Sequence, residues 1–269
     1  MSKKRGIVIA DPHCGHLAGL TPPSWQSKEH TKSKTKRNKW VVLQSEMWKH
    51  YKYLLKKFGP FDFGLSMGDL VDGAGHRSGG VELITSDREE QADMAVAVHD
   101  QVRLHANKGF SWVGVYGTAY HSGTEEDWEN IVADRAGFKK IGSHEWIDVN
   151  GCIIDCKHHV GGSTIPHGRH TAVAKERLWS VLWAERALTP KANVILRAHV
   201  HYHAYCGGPG WVAMTLPALQ GMGSKFGARR CSGLVDWGLT VFDIATDGSF
   251  DWHSETVQIE AQRAKVVKI

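Results

Sequence analysis

The 269-residue sequence predicts an α/β protein in which two sheets pack together with helices on their outer faces. Short apolar runs, each ending in Gly or a polar cluster, alternate with longer amphipathic segments, the pattern of strands alternating with helices. Helical patterns thin out after residue 190 while strand patterns continue, so a sheet fed by βα units is followed by β-rich chain. An apolar content of 42% suffices for a sizeable core, and a single domain spanning 1–269 is expected.

Taken in order, the first strand is predicted at 6–10 and the first helix at 40–58, after a basic loop containing KEHTKSKTKRNK. A strand at 63–68, a helix at 86–107 and a strand at 112–117 follow. The helix at 126–136 has Glu125, Glu126 and Asp127 around its first turn, where acidic side chains suit the helix dipole. Strands at 144–149 and 152–158 precede a helix at 171–187, and strands at 193–199, 211–216 and 238–245 complete the set. Trp179 and Trp183 stand four apart, which predicts a buried helix face. The least regular segments are 14–39, 73–85, 161–169 and 220–233. Each follows a predicted strand, and ligands of α/β sheets bind beyond the carboxyl ends of strands.

The formal charge of +5 suits a polyanionic partner but is too mild to define one. The start, MSKKRGIVIADPH, has too short an apolar run for a secretory segment, and no later stretch is long enough to cross a bilayer. Five cysteines without a CxxC pair argue against a disulfide framework or a zinc knuckle and for a reducing cytoplasm. Neither a P-loop nor a GxSxG elbow is present, which disfavours a serine hydrolase.

The chemistry-bearing residues fall at predicted strand ends. They are Asp11-Pro-His13, Gly68-Asp69-Leu-Val-Asp72, Gly117-Thr118-Ala-Tyr-His121, His158-His159 and Ala198-His199-Val-His201. Carboxylate oxygens and imidazole nitrogens are the ligand set for divalent first-row metals, and five such blocks suffice for a binuclear centre. One DxH or HxH by itself is weak evidence; the ordered set carries the reading. Asp72, in a Gly-rich turn, reads most simply as an acid bonded to local backbone.

This order resembles the calcineurin-like metallophosphoesterase superfamily, whose pattern runs DxH, GDxxD, GNH(D/E), a later His, and GHxH. With DPHCGHLAGLTPP and GTAYH, the chain is most similar to phosphoesterases of phage and prophage genomes, and the motifs run from 11 to 201. The resemblance implies a four-layer α/β/β/α sandwich of two mixed β-sheets flanked by helices. It implies that Asp11, His13 and His201 hold one metal, that Asp69 bridges both, and that His199 with His158 or His159 holds the second. His158, coming directly off its strand, is the favoured member of the pair, leaving His159 to support the ligands or meet the substrate. Ala198 stands where the motif has Gly, which makes 199/201 a better register than the shifted pair His201 and His203. The third block departs from the pattern. Thr118 stands where the family has an Asn ligand, and His121 is displaced by two residues. Thr118 is therefore a candidate weak ligand and His121 the candidate acid.

The resemblance further implies two divalent ions, with Mn2+ expected and Fe, Zn, Ni, Co or Mg as alternatives, activating water for attack on a phosphate ester. Asp69 and His121 are the catalytic candidates. Lys28, Lys32, Lys34, Lys36, Arg37 and Lys39 crowd one loop, and Lys225, Arg229 and Arg230 another, so the substrate expected is DNA or RNA, cleaved by a phosphodiesterase or nuclease. Arg169 and Lys225 are the substrate candidates. The alternatives are a phosphomonoesterase, or a catalytically weak metal-containing module that binds nucleic acid. No membrane contact is expected, and the location is cytoplasmic, the host cytoplasm if the chain is phage-encoded.

Overall fold

The computed structural model describes residues 2–27, 39–123, 127–163, 165–222, 234–263 and 266–267. Eleven strands form two mixed sheets among these residues. The first sheet holds β1 (Lys4–Ile9), β2 (Phe63–Ser66), β3 (Trp112–Val115), β4 (Phe138–Gly142), β10 (Gly238–Ile244) and β11 (Phe250–Thr256), in the order β11-β10-β1-β2-β3-β4. Its strands β1 to β4 run parallel, and β10 and β11 join antiparallel. The second sheet holds β5 (Glu145–Val149), β6 (Cys152–Cys156), β7 (Val194–Arg197), β8 (Ala204–Gly208) and β9 (Trp211–Thr215), in the order β5-β6-β7-β9-β8.

Strand alternation builds the layers. Ile7 and Ile9 of β1 point to a core shared with α1 (Lys39–Phe58) and α2 (Arg88–Arg103), where Met47, Tyr51, Leu54, Val98 and Val102 meet them. Val8 points the other way, with Leu65 and Val115, into an inter-sheet core completed by Ile154, Val194, Leu196 and Met214. On the far side of the second sheet, Ile195 and Ala213 pack with Val173 of α5 (Gly168–Glu185). The order of layers is therefore helices, sheet, sheet, helix, the expected four-layer sandwich. Two shorter helices, α3 (Ala119–Ser122) and α4 (Trp128–Arg135), follow β3, and Asp127 caps α4 by accepting from the Glu129 N–H at 3.0 Å. Glu125 and Glu126 lie outside the described residues. No described helix is long and apolar enough to cross a membrane.

Three strands escaped the sequence pattern: β4, β8 and β11. All three are sheet edges. An edge strand buries fewer side chains, and β4 (FKKIG), β8 (AYCGG) and β11 (FDWHSET) accordingly lack the continuous apolar run that marks the interior strands. The tryptophan expectation also fails. Trp179 is 51% exposed and Trp183 half-buried, because α5 turns Val173 and Ser180 to the sheet and Trp179 lies well round from that face.

Candidate metal centre

The centre forms where β1, β2 and β3 end and where the chain leaves β6 and β7. Past the strand ends, the loops after β1 and β2 stay in register: the Asp11 N–H donates to Gly68 O (3.2 Å), His13 N–H to Asp69 O (3.0 Å) and Cys14 N–H to Leu70 O (3.0 Å). This pairing sets Asp11 and His13 beside Asp69. The loop after β3 closes against the same place, and glycine is required on both sides of the contact. A Cβ on Gly68 would lie 2.5 Å from Gly117 N, and one on Gly117 would lie 2.1 Å from Asp69 Oδ1.

The backbone at these residues is unusual. Asp11, His13, Asp69, His199 and His201 all have positive φ, between 43° and 71°. Among the described non-glycine residues only Asn150 and Ala187 share that conformation. Such backbone costs on the order of 1–3 kcal/mol per residue and persists where the surrounding structure enforces it, most often at functional sites. Here it turns side chains from successive loop positions toward one point.

Three groups converge, with the candidate ligand atoms in each lying within 4.8 Å of one another: Asp11, His13 and His201; His13, Asp69 and His121; Asp69, His158 and His199. Asp11 Oδ1 lies 3.2 Å from His201 Nε2, and Asp69 Oδ2 lies 3.1 Å from His158 Nε2 and 3.8 Å from His13 Nε2. His13 Nε2 and His201 Nε2 are 3.3 Å apart. The His158 Nδ1–H donates to Met67 O at 2.5 Å, since a carbonyl can only accept, and this turns Nε2 inward. His121 is anchored in the same way, its Nδ1–H donating to Asp72 O at 2.9 Å.

Burial should raise the carboxyl pKa of Asp11 and Asp69, yet both lie below the usual carboxylate range. His201 and His158 act most strongly on Asp11, and His158 and His13 on Asp69. Burial opposes a proton on His158 as well, but Asp69 and Asp11 push it up to about 10. His199, desolvated and facing His158, is held down to about 4. Two buried carboxylates therefore draw positive charge into a space lined by imidazoles. Asp11 Oδ1 and His158 Nε2 are buried, and the polar atoms facing them, His201 Nε2 at 3.2 Å and Asp69 Oδ2 at 3.1 Å, are themselves candidate ligand atoms, an arrangement that suits a shared cation. The donor set of carboxylate oxygens and imidazole nitrogens fits divalent first-row metals.

The other predicted site residues belong to none of the three groups. Thr118 borders the centre: its N–H and hydroxyl both donate to Asp69 Oδ1, at 2.6 and 3.1 Å, and so hold the carboxylate in place. His159 is exposed beside His199, ring centroids 4.8 Å apart, and belongs to none of the three groups. His203 donates through Nδ1 to Thr215 O at 2.8 Å, away from the three groups. The Arg169 guanidinium lies over the Tyr202 ring, 4.3 Å from its centroid. Lys225 lies outside the described residues.

Two residues escaped the sequence reading. Asp72 is no mere turn acid, because its Oδ1 lies 3.2 Å from His13 Nδ1 and 3.6 Å from His121 Nδ1. Glu129, fully buried, accepts from the Leu70 N–H at 2.7 Å and the Gly117 N–H at 2.6 Å, so one carboxylate ties the loop bearing Asp69 to the loop bearing Thr118. Burial, and then the charge of Asp69, pushes its pKa up to about 8. The spacing of the fifth motif residue hinted at Asp72. No sequence signal marked Glu129, which looks like an ordinary first-turn acid.

A His/Asp centre at the strand ends of an α/β/β/α sandwich defines a candidate divalent-metal protein. No family model and no curated protein matches the chain. Solved structures similar to it include Vps29 of Entamoeba histolytica complexed with Zn2+, at 13% identity over 94% of this chain and 98% of that one, TM-score 0.42. Vacuolar protein sorting 29 of Cryptosporidium parvum is 10% identical over 96% and 99%, TM-score 0.43. An archaeal phosphodiesterase is 8% identical over 93% and 99%, TM-score 0.41. At such identities and scores no chemistry transfers, and function is read from the site's own atoms.

Proposed function

We propose that this chain is a metal-dependent phosphoester hydrolase, more specifically a phosphodiesterase acting on nucleic acid. The observation that carries the reading is the placement of Asp69. Its Oδ2 faces His13 on one side and His158 on the other, so one carboxylate belongs to two adjoining ligand groups. Asp11, His13 and His201 would hold one cation, His158 and His199 the other, with Asp69 shared. A pair of divalent cations, Mn2+ expected, would lower the pKa of water and neutralise charge on the phosphoryl oxygens.

The chain's own residues supply the rest. Thr118 fixes Asp69 Oδ1, keeping Oδ2 directed inward. With its Nδ1–H committed to Asp72 O, His121 keeps Nε2 for the second proton of the imidazolium form, which it would give to the leaving oxygen, ending as the neutral Nδ1–H tautomer. His159, exposed next to His199, would meet a substrate phosphate. A second role for His121, as a ligand, is favoured by its grouping with His13 and Asp69. The preference for nucleic acid rests on the basic residues of 28–39, of which only Lys39 is described, and of 225–230.

The test measures metal content and turnover of a chromogenic phosphodiester with added manganese, in the parent and in Asp69→Asn. Two ions and turnover in the parent, with neither in the variant, are expected. Metal binding without turnover on any ester would favour the binding-module alternative, and a preference for monoesters would favour a phosphatase. Neutralising Lys32, Lys34, Lys36, Arg37 and Lys39 should slow cleavage of DNA but not of the small diester. The salt dependence should become shallower, by a slope of about 0.9 for each phosphate no longer neutralised.

A further inference from the structure

Helix α5 carries an apolar stripe that no other described element covers. Its inner side meets the second sheet through Val173 and Ser180, with Glu176 and Arg177 beside them bonded to Arg197 and Ala192 O. At the helical period, Leu178 and Leu182 point away from that side and Trp179 stands on their flank. They are 57%, 42% and 51% exposed. Isolated exposed apolar residues are ordinary, but three large ones within two turns form a patch of the kind that marks an interaction surface. Lys175 lies one turn before Leu178 and Glu185 one turn after Leu182; both are exposed, and neither has an ion pair among the described residues.

We propose that this face of α5 is the self-association surface of the protein, and that its occupant is the same face of a second copy, antiparallel about a twofold axis at Ser180. The spacing points to that occupant. Reversing the helix about residue 180 exchanges 178 with 182 and 175 with 185. Leu178 then meets Leu182 of the second copy, and Lys175 meets its Glu185, with the same contacts repeated across the axis. Ala174 falls opposite Arg186 and leaves room for the guanidinium. A twofold interface must be complementary to itself, and a stripe with a cation at one end and an anion at the mirror position meets that condition. A different protein would require no such mirror relation.

The test is the mass of the full chain in solution, by sedimentation equilibrium across a concentration series. Twice the 29.9 kDa chain mass is expected. Leu182→Asp should give a monomer with circular dichroism and metal content unchanged, because the replaced side chain lies on the surface and outside the metal centre. Lys175→Glu and Glu185→Lys should each weaken association by at least about tenfold, through like charges facing across the axis. The double variant K175E/E185K should restore it. A monomeric parent, including one that binds another protein through α5, overturns the proposal. So does a dimer that survives Leu182→Asp, or a double reversal that fails to recover. None of these outcomes depends on phosphoesterase activity.

Discussion

Asp72 Oδ1 lies 3.2 Å from His13 Nδ1, on the opposite edge of the imidazole from the nitrogen that faces Asp69 and His201. The carboxylate fixes the tautomer that offers Nε2 to a cation and raises its basicity. Replacing Asp72 by Asn keeps the volume and removes the charge. We expect Asp72→Asn to fold normally and to bind metal about 10- to 100-fold more weakly, as removal of a carboxylate behind a metal-binding His typically does. Calorimetric titration with Mn2+ measures this, and unchanged affinity would return Asp72 to a backbone-bonding role.

Alanine at Asp11, His13 or Asp69 should abolish metal binding and turnover together, whereas alanine at His203 should leave both intact. His203 is committed to Thr215 O at 2.8 Å and stacks near Tyr205. Comparable loss at His203 would show that the last block works in the shifted register.

His121→Gln separates two roles. If His121 delivers a proton, metal content stays near that of the parent and turnover falls most for esters with poor leaving groups, which need the proton more. Metal loss, or an equal fall for all leaving groups, would make it a ligand.

Glu129→Gln keeps only one acceptor for the buried N–H of Leu70 and the half-buried N–H of Gly117. Leaving one of them unbonded costs about 1–3 kcal/mol. A urea midpoint lowered accordingly, with weaker metal binding, is expected; a variant as stable as the parent would mean the loops hold together without it.

Beneath α5, Arg197 is fully buried and donates to Asp155 Oδ1 at 2.7 Å and Glu176 Oε2 at 2.6 Å. Burial opposes ionisation of both acids, but His144 and Arg197 hold Asp155 below its ordinary 3.8, and Arg197 and Lys157 hold Glu176 below its ordinary 4.5. Folded values below the unfolded ones mean that the stabilisation is complete above pH 4.5 and is lost as pH falls through the depressed values. Urea midpoints should therefore drop below pH 4.5, and Arg197→Met should show a shallower drop. An equal slope in both would locate the acid sensitivity elsewhere.

The alternation of apolar runs with amphipathic segments was legible in the chain, and with it the interior strands, the long helices and the five blocks of Asp and His at strand ends. Those features are local, because burial on both faces demands continuous apolar runs and a helix demands its own period. The edge strands β4, β8 and β11, the exposure of Trp179 and the parts played by Asp72, Glu129 and Thr118 emerged only in three dimensions. Each depends on what lies across a contact. An edge strand's neighbour, the sheet beneath α5, and the N–H groups of Leu70 and Gly117 are brought together only by the fold. The convergence itself is of this kind, since Asp11 and His201 are 190 positions apart in sequence and 3.2 Å apart in space. Positive-φ turns at both ends of that contact aim the side chains inward, and a string of residue types does not specify them.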